Sequence, residues 1–314
     1  MKKFASQNDL EDKKISFEEV GKNLYAFTAE GDPNSGVIIG DRSVLVIDAQ
    51  ATPQLARQVI EKIRTVTDKP ISHVALSHYH AVRVLGASAY KAQEIIMSDK
   101  ARSMVVERGK EDWESEFDRF PRLFRGHEEI PGLTWPTTTF QNKMSLFLGK
   151  RQVDLHFLGR AHTAGDIVIH VPDTNVLFTG DIVEYKSACY CGDAHLRDWP
   201  YTLENISKFS AEAIVPGRGD ALAEPKKINE AFELTKDFVQ STYNSVSKVA
   251  YSGGDLKEAM QACREYCDKK FSNYAIYEHC LPFNVSRAFD EAKGIENPRI
   301  WTADRDKEMW NLLQ

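Results

Sequence analysis

The sequence lacks the features of membrane-spanning, disulfide-stapled and nucleic-acid-binding proteins. No stretch approaches the ~18 consecutive apolar residues that a membrane-spanning helix needs. Residues 1–9 contain two lysines with no apolar segment behind them, so we expect no signal peptide. The five cysteines are few and odd in number for a chain of 314 residues, which argues against a disulfide framework. A net charge of −6 gives no electrostatic reason to expect a nucleic-acid partner.

What remains is the composition of an ordinary globular protein, with 42% hydrophobic and 27% charged residues. We therefore expect a cytoplasmic protein that binds neither membranes nor nucleic acid. The length allows one large domain or one domain with an appended region. No low-complexity segment and no Gly/Pro/Ser-rich linker divides the chain.

Short apolar runs alternate with helical patterns through much of the chain, which is typical of an α/β protein. Strands are expected at 24–28, 36–39, 43–48, 74–76, 144–148, 153–158, 167–171 and 176–178. Helices are expected at 52–64, 86–100, 225–251, 256–270 and 283–293. The charged and aromatic segment 101–136 predicts helices and a loop, which form either a solvated insert or a lid over a pocket.

Two histidines separated by one residue follow the apolar run 74–76. Because alternate residues of an extended segment point to the same side, His78 and His80 can face one metal ion. A third imidazole, His162, and a carboxylate, Asp181, follow later in the chain. Three imidazoles and one carboxylate are a suitable ligand set for zinc or iron.

Four segments, in this order, resemble the sequence hallmarks of the metallo-β-lactamase superfamily. They are Ser77-His78-Tyr79-His80-Ala81-Val82-Arg83, Gly159-Arg160-Ala161-His162-Thr163-Ala164-Gly165, Thr179-Gly180-Asp181 and Pro216-Gly217-Arg218-Gly219. The resemblance covers about residues 20–220. It implies the α/β fold of that superfamily, an αββα sandwich of two sheets with outer helices, whose ligands lie on loops at one edge.

The same resemblance suggests how the chain is divided. We expect a metallo-β-lactamase-like domain at 1–220, with a helical and loop insert at about 101–136. Residues 221–314 are expected to form a C-terminal helical region packed on this domain. These helices are also candidates for the contact of a homodimer.

The departures from the family pattern are as informative as the match. In members with two metals, the ligands of the first metal correspond here to His78, His80 and His162. The ligands of the second correspond to Val82, Arg83, Arg218 and Asp181, so three of these four positions have lost a ligand. A guanidinium is permanently charged and has no lone pair for a metal. The sequence therefore predicts one metal ion rather than two.

We predict a divergent metal-dependent hydrolase in which one Zn²⁺ activates water against an anionic ester, lactone, thioester or phosphoester. Arg83 and Arg218 would hold the small anionic substrate. Asp181 is expected to be a catalytic residue as a metal ligand or general base, although a salt bridge to Arg83 or Arg218 is the structural alternative.

Two other functions stay open at this point. The first is a mononuclear non-haem iron oxygenase or redox protein of the same fold, in which two histidines and Asp181 form the facial triad. The second is a metal-free pseudo-enzyme that uses the fold for binding.

Residues near the ligand segments are expected to support them. Asp48, Thr163 and Asp166 are candidates for hydrogen bonds that hold the ligand loops. Asn284 is expected to cap the last predicted helix. The alternative is that its segment, 277–285, reaches back from the tail to the cleft.

Overall fold

The computed structural model describes residues 5–313. The expectations for residues 1–4, which include most of the lysine-containing start, and for residue 314 lie outside the described part. Two sheets lie at the centre of the structure, with helices on their outer faces. The expected αββα sandwich with a C-terminal helical region is therefore confirmed.

The first sheet has seven strands in chain order, β1 to β7. Neighbours are antiparallel from β1 to β4 and parallel from β4 to β7. The strands are β1 (Ile15–Gly21), β2 (Leu24–Ala29), β3 (Ser35–Ile39), β4 (Val44–Ile47), β5 (Ile71–Ala75), β6 (Glu94–Ser98) and β7 (Thr138–Phe140).

The second sheet has five strands in the order β12-β11-β10-β9-β8. It is antiparallel except for β11 and β12, which run parallel. The strands are β8 (Lys143–Leu148), β9 (Arg151–His156), β10 (Val168–Val171), β11 (Val176–Gly180) and β12 (Ala213–Pro216).

Helices cover the outer faces and fill the connections. They are α1 (Pro53–Arg64), α2 (Ala81–Val84), α3 (Asp99–Arg119), α4 (Trp199–Ser207), α5 (Pro225–Tyr251), α6 (Leu256–Phe271), α7 (Tyr277–Ala292) and α8 (Ala303–Leu312). Three 3₁₀ helices, Ala5–Asn8, Leu85–Tyr90 and His127–Glu129, complete the regular structure of the described residues. None of the helices in the described part is long and apolar enough to cross a membrane.

Alternation along the central strands explains the layers. In β4, Leu45 packs between the two sheets, whereas Val44 and Val46 pack outward in the layer that holds α1. The outer face of the second sheet buries Leu177 and Ile214 together with apolar residues of α4 to α8. Because the C-terminal helices share this hydrophobic core, they are packed on the sandwich as expected, while the boundary at residue 220 stays a prediction.

Several local predictions are confirmed and others are wrong. The predicted helix 225–251 coincides with α5, and Thr52 caps α1 by accepting a hydrogen bond from the amide of Leu55. The helix expected at 86–100 is wrong, because its apolar residues instead form β6, added in parallel beside β5. Asn284 does not cap a helix, since α7 begins at Tyr277 and contains it. β1, β7, β12, α2, α4 and α8 were not predicted.

Candidate metal centre

The three predicted histidines converge at one edge of the sandwich. His78 and His80 follow the end of β5, and His80 is the residue that precedes α2. His162 lies in the loop between β9 and β10 of the other sheet. All three rings are buried, and one ligand nitrogen from each lies within 4.8 Å of the other two. The three rings therefore lie together, and metal binding by them stays a prediction.

Buried partners fix the tautomer of two of these rings. Nδ1 of His162 donates to the carbonyl oxygen of Tyr190 at 2.8 Å, which leaves a lone pair on Nε2. Nε2 of His80 donates to Oδ2 of Asp193 at 3.2 Å, which leaves a lone pair on Nδ1. Such outer hydrogen bonds are the usual means of orienting histidine ligands toward a metal.

A chain of hydrogen bonds through Ser77 orients His78. The amide and the hydroxyl of Ser77 donate to the two carboxylate oxygens of Asp48 at 2.7 and 2.8 Å. Because the hydroxyl hydrogen is used there, Ser77 Oγ accepts from Nδ1 of His78 at 2.9 Å. The expected supporting role of Asp48 is confirmed, and the residue adopts the unusual φ of +56° to fulfil it.

These arrangements fit a metal ion. Nε2 of His78 is buried and has no hydrogen-bond partner. Nδ1 of His80 and Nε2 of His162, both with lone pairs in these tautomers, face each other at 2.9 Å. Facing lone pairs repel each other unless a cation lies between them. When His80 is neutral, the three imidazoles aim their lone pairs inward, which is the donor set of a catalytic zinc site. When His80 is protonated, its Nδ1 donates to Nε2 of His162 instead.

The loop that carries His80 is held by carboxylates that the sequence did not reveal as functional. Asp112 and Glu116 of α3 accept hydrogen bonds from the amides of Ala81 and Val82 at 2.8 and 2.9 Å. Burial lowers the pKa of His80, but the surrounding carboxylates outweigh burial and raise it to about 9. A proton therefore competes with a metal for this ring. In the sequence, the sign of this pair is its spacing. Asp112 and Glu116 are four positions apart, so they lie on one face of a helix.

The loop of His162 is also braced as expected. Thr163 donates from its amide and its hydroxyl to the two carboxylate oxygens of Asp166, at 2.7 and 2.6 Å. Both residues are fully enclosed. Burial raises the pKa of Asp166 to about 7 in spite of these hydrogen bonds.

Asp181 lies beside the histidines in a network of buried ion pairs. Its Oδ2 is 3.6 Å from Nε2 of His162 and accepts from Nη1 of Arg218 at 2.9 Å, while Oδ1 accepts from Nη2 of Arg83. Burial acts to raise the pKa of Asp181, but the two guanidiniums outweigh it and hold the pKa well below the usual value. The salt bridges given as the structural alternative are therefore present, and metal ligation by Asp181 stays a prediction.

The two arginines differ in what else they contact. Arg83 donates to the backbone carbonyls of Asn34 at 2.8 Å and Gly217 at 2.7 Å, and it is fully buried. Arg218 donates to Oε1 of Glu184 at 3.0 Å and lines the cavity beside the histidines. The geometry thus leaves Arg218, rather than Arg83, in a position to meet a bound molecule.

That cavity is closed by residues from both the insert and the tail. The lining residues from these two segments are Glu116, Arg119, Phe120, Ile276, His279 and Cys280. The free space inside is about 10 Å³, room for about one water molecule. The insert 101–136 and segment 277–285 therefore both reach the cleft. This agrees with the interpretation of the insert as a lid. It also agrees with the alternative that the segment of Asn284 reaches back from the tail.

A second histidine group lies away from this site. Ligand atoms of Asp154, His156 and His170, on β9 and β10, lie within 4.8 Å of one another. The Asp154 carboxylate is already bonded by Ser145 and Lys143 at 2.6 and 3.0 Å. This group is consequently less suited to a metal than the three buried histidines.

Comparisons with known proteins concern the family and the fold of the chain. A sequence model of the metallo-beta-lactamase superfamily matches residues 28–218. The chain is 24% identical to a Metallo-beta-lactamase type 2 of Bacillus cereus over 66% of this chain and 77% of that protein. It is 22% identical to a Linear primary-alkylsulfatase of a Pseudomonas strain, over 65% of this chain and 44% of that protein. A solved metallo-beta-lactamase structure from Pontibacter korlensis matches with a TM-score of 0.58 and 17% identity, covering 72% of this chain and 99% of that one.

Proposed function

Because this chain belongs to the metallo-beta-lactamase superfamily, we propose that it is a metal-dependent hydrolase that holds one zinc ion at His78, His80 and His162. One observation carries the proposal. Lone pairs of three buried rings are aimed at one point, and buried partners of each ring fix that direction. A zinc ion in such a site lowers the pKa of a water to about 7 and so makes a nucleophile available at neutral pH.

A single ion is supported by the surroundings of Asp181. The guanidiniums of Arg83 and Arg218 donate hydrogen bonds to the two oxygens of the Asp181 carboxylate. In related sites with two metals, the second cation would occupy this place. A second cation would be repelled by these fixed positive charges. Zinc is preferred over iron because the facial triad of an iron site would need Asp181 free of the guanidiniums.

We assign the remaining chemistry to Asp181 and Arg218. Since its pKa is depressed, Asp181 stays ionised and accepts a hydrogen bond from the attacking water, which orients it. Arg218 lines the cavity and stabilises negative charge on the substrate. For Arg83, the described contacts support a role in positioning Asp181, and substrate binding by Arg83 stays a prediction.

The substrate is proposed to be a small anionic ester, lactone, thioester or phosphoester. The relatives' names point to different substrates, a β-lactam for one and an alkyl sulfate for another, so they do not choose among these classes. A cavity with room for about one water has to widen to admit any of them.

We also keep the expectation of a cytoplasmic protein without nucleic-acid or membrane partners. The five cysteines are all free and buried, which suits a reducing compartment. A homodimer through the C-terminal helices stays a prediction.

Elemental analysis of protein purified without added metal tests the proposal. We expect about one zinc per chain in the wild type, as for a catalytic site with three protein ligands, and its loss in His162→Ala. The control is His127→Ala, since His127 is half exposed and far along the chain from the ligand segments. A folded wild type that takes up no zinc, or a His162→Ala variant that keeps it, would refute the metal centre.

A further inference from the structure

The cavity beside the metal centre contains a buried cation to which no carboxylate of the described residues is hydrogen-bonded. Arg119, at the end of α3, is fully enclosed. Its Nε donates to the carbonyl of Ser115 at 3.1 Å and lies 3.6 Å from Oδ2 of Asp306. Its guanidinium also lies over the ring of Phe283 at 4.3 Å. By contrast, Arg218 of the same cavity bonds directly to carboxylates.

A buried guanidinium normally needs a hydrogen-bonded anion, because removing the charge from water is costly. Among the described residues, no carboxylate makes a direct hydrogen bond to Arg119, and the 3.6 Å contact with Asp306 is longer than such a bond. The side chain nevertheless lines the cavity next to the metal centre. Arg119 is thus placed to bind an anionic group that enters the cavity.

His279 of α7 provides a second, independent observation. It is almost fully buried and lines the same cavity, and its Nδ1 has no hydrogen-bond partner. Its Nε2 is 3.4 Å from Nη1 of Arg119. Because that guanidinium can only donate, Nε2 faces it with the lone pair and Nδ1 carries the hydrogen. A buried N–H of His279 without a hydrogen-bond partner therefore lies beside Arg119, which no carboxylate hydrogen-bonds directly.

The lining of the cavity combines charged and apolar side chains. The positive side chains that line it, Arg119 and Arg218, are balanced by Glu116 and Asp181. Val82, Phe120 and Ile276 supply the apolar part of the lining.

We infer that Arg119 and His279 form an oxyanion-binding subsite that recognises a carboxylate, sulfate or phosphate group of the substrate. The inference rests on the proposed function, because it assigns the acid group of the substrate to a place beside the metal. It also gives the insert and the C-terminal helices a common role. Each contributes one side chain to specificity, and His279 lies beyond the part of the chain that the family model matches.

Calorimetric titration with inorganic phosphate tests the subsite, using the full chain both loaded with zinc and treated with a chelator. We expect Arg119→Met to weaken phosphate binding at least about tenfold, the loss expected for a charge-assisted hydrogen bond. The matched control is Arg122→Met. It removes a nearby arginine that is paired with Asp32 at 2.6 Å and does not line the cavity. This control is expected to bind phosphate like the wild type.

Measuring both forms separates this inference from the proposed function. Phosphate binding that depends on Arg119 in chelator-treated protein supports the subsite even where no zinc is ever found. Dependence on Arg119 in the zinc form alone supports it as a subsite completed by the metal. Equal affinities of the wild type and Arg119→Met, or no phosphate binding by either form of the wild type, overturn it.

A second variant keeps the test decisive if Arg119→Met does not fold. Arg119→Lys keeps the charge but loses the forked donors of the guanidinium. We expect it to fold, as judged by its melting temperature, and to bind phosphate several-fold more weakly than the wild type. If the methionine variant does not fold, an unchanged affinity in the lysine variant overturns the subsite.

Discussion

Nδ1 of His80 lies 2.9 Å from Nε2 of His162, although the two residues are 82 positions apart in the chain. Each ring uses its other nitrogen to donate to a buried oxygen, so lone pairs face each other across this gap. A cation is needed between them, either a metal ion or a proton. The contact joins loops from the two sheets, and for this reason metal binding and the packing of the sandwich are coupled.

Removing the charge of Asp193 is expected to weaken metal binding. Asp193 accepts from Nε2 of His80 and from Arg108 at 3.0 Å, so it holds the ring in its ligand tautomer. In Asp193→Asn we expect zinc affinity to fall about tenfold or more, the usual effect of losing an outer-shell partner. Competition with a chromophoric chelator measures this. Asp173→Asn, at a half-exposed carboxylate, is the control and should leave the affinity unchanged.

Restoring the missing ligands should create a second metal site. The triple variant Val82→Asp, Arg83→His, Arg218→His replaces two cations and an apolar side chain by ligands beside Asp181. We expect the metal content to rise from about one to about two per chain, as in a two-metal site. Elemental analysis of folded variant protein measures it. A stoichiometry that stays at one would show that these positions do not correspond to the family's second site.

Neutralising Asp181 is expected to destabilise the fold strongly. In Asp181→Asn the guanidiniums of Arg83 and Arg218 lose the carboxylate that they share. Breaking a buried ion pair costs about 3 kcal/mol or more. Here Arg83 would keep only backbone carbonyls as hydrogen-bond partners, while Arg218 would keep Glu184. Denaturant unfolding of metal-free protein measures the loss. Asp304→Asn, at a fully exposed carboxylate, should change the free energy of unfolding very little, and an equally small effect at Asp181 would contradict the expectation.

Acid is expected to destabilise the protein in part through His279. Burial, together with Arg119 and Arg218, holds the pKa of His279 well below the ordinary value of 6.5. The unfolded chain therefore binds more protons as the pH falls below 6.5, and the free energy of unfolding falls with it. The stability from the neutral ring is fully present above pH 6.5 and is lost progressively below it.

The variant His279→Gln tests this pH dependence. Without the histidine, the slope of unfolding free energy against pH between 6.5 and 5 should shrink by up to about 1.4 kcal/mol per pH unit, the contribution of one proton. Parallel pH profiles for His279→Gln and the wild type would show that His279 titrates normally.

Local patterns were sufficient to predict much of the scaffold. The helix predicted at 225–251 is α5, and the helix predicted at 52–64 is α1 with its capping residue Thr52. The same kind of reasoning was wrong at 86–100. This segment begins in the 3₁₀ helix Leu85–Tyr90, continues as β6 and ends at the start of α3. Short apolar runs suit either structure, and only pairing with β5 selects the strand.

The identity of the metal-facing histidines, and the arginines at the lost second site, could be read from the sequence, because ligand chemistry and family spacing are properties of short segments. The tertiary structure alone decided what surrounds them. Asp193 meets His80 across 113 positions, and Arg119 meets His279 across 160. No local pattern encodes such pairs, since burial and chain packing bring them together. The tertiary structure therefore determines the direction of each lone pair and places Arg119 without a hydrogen bond to a carboxylate.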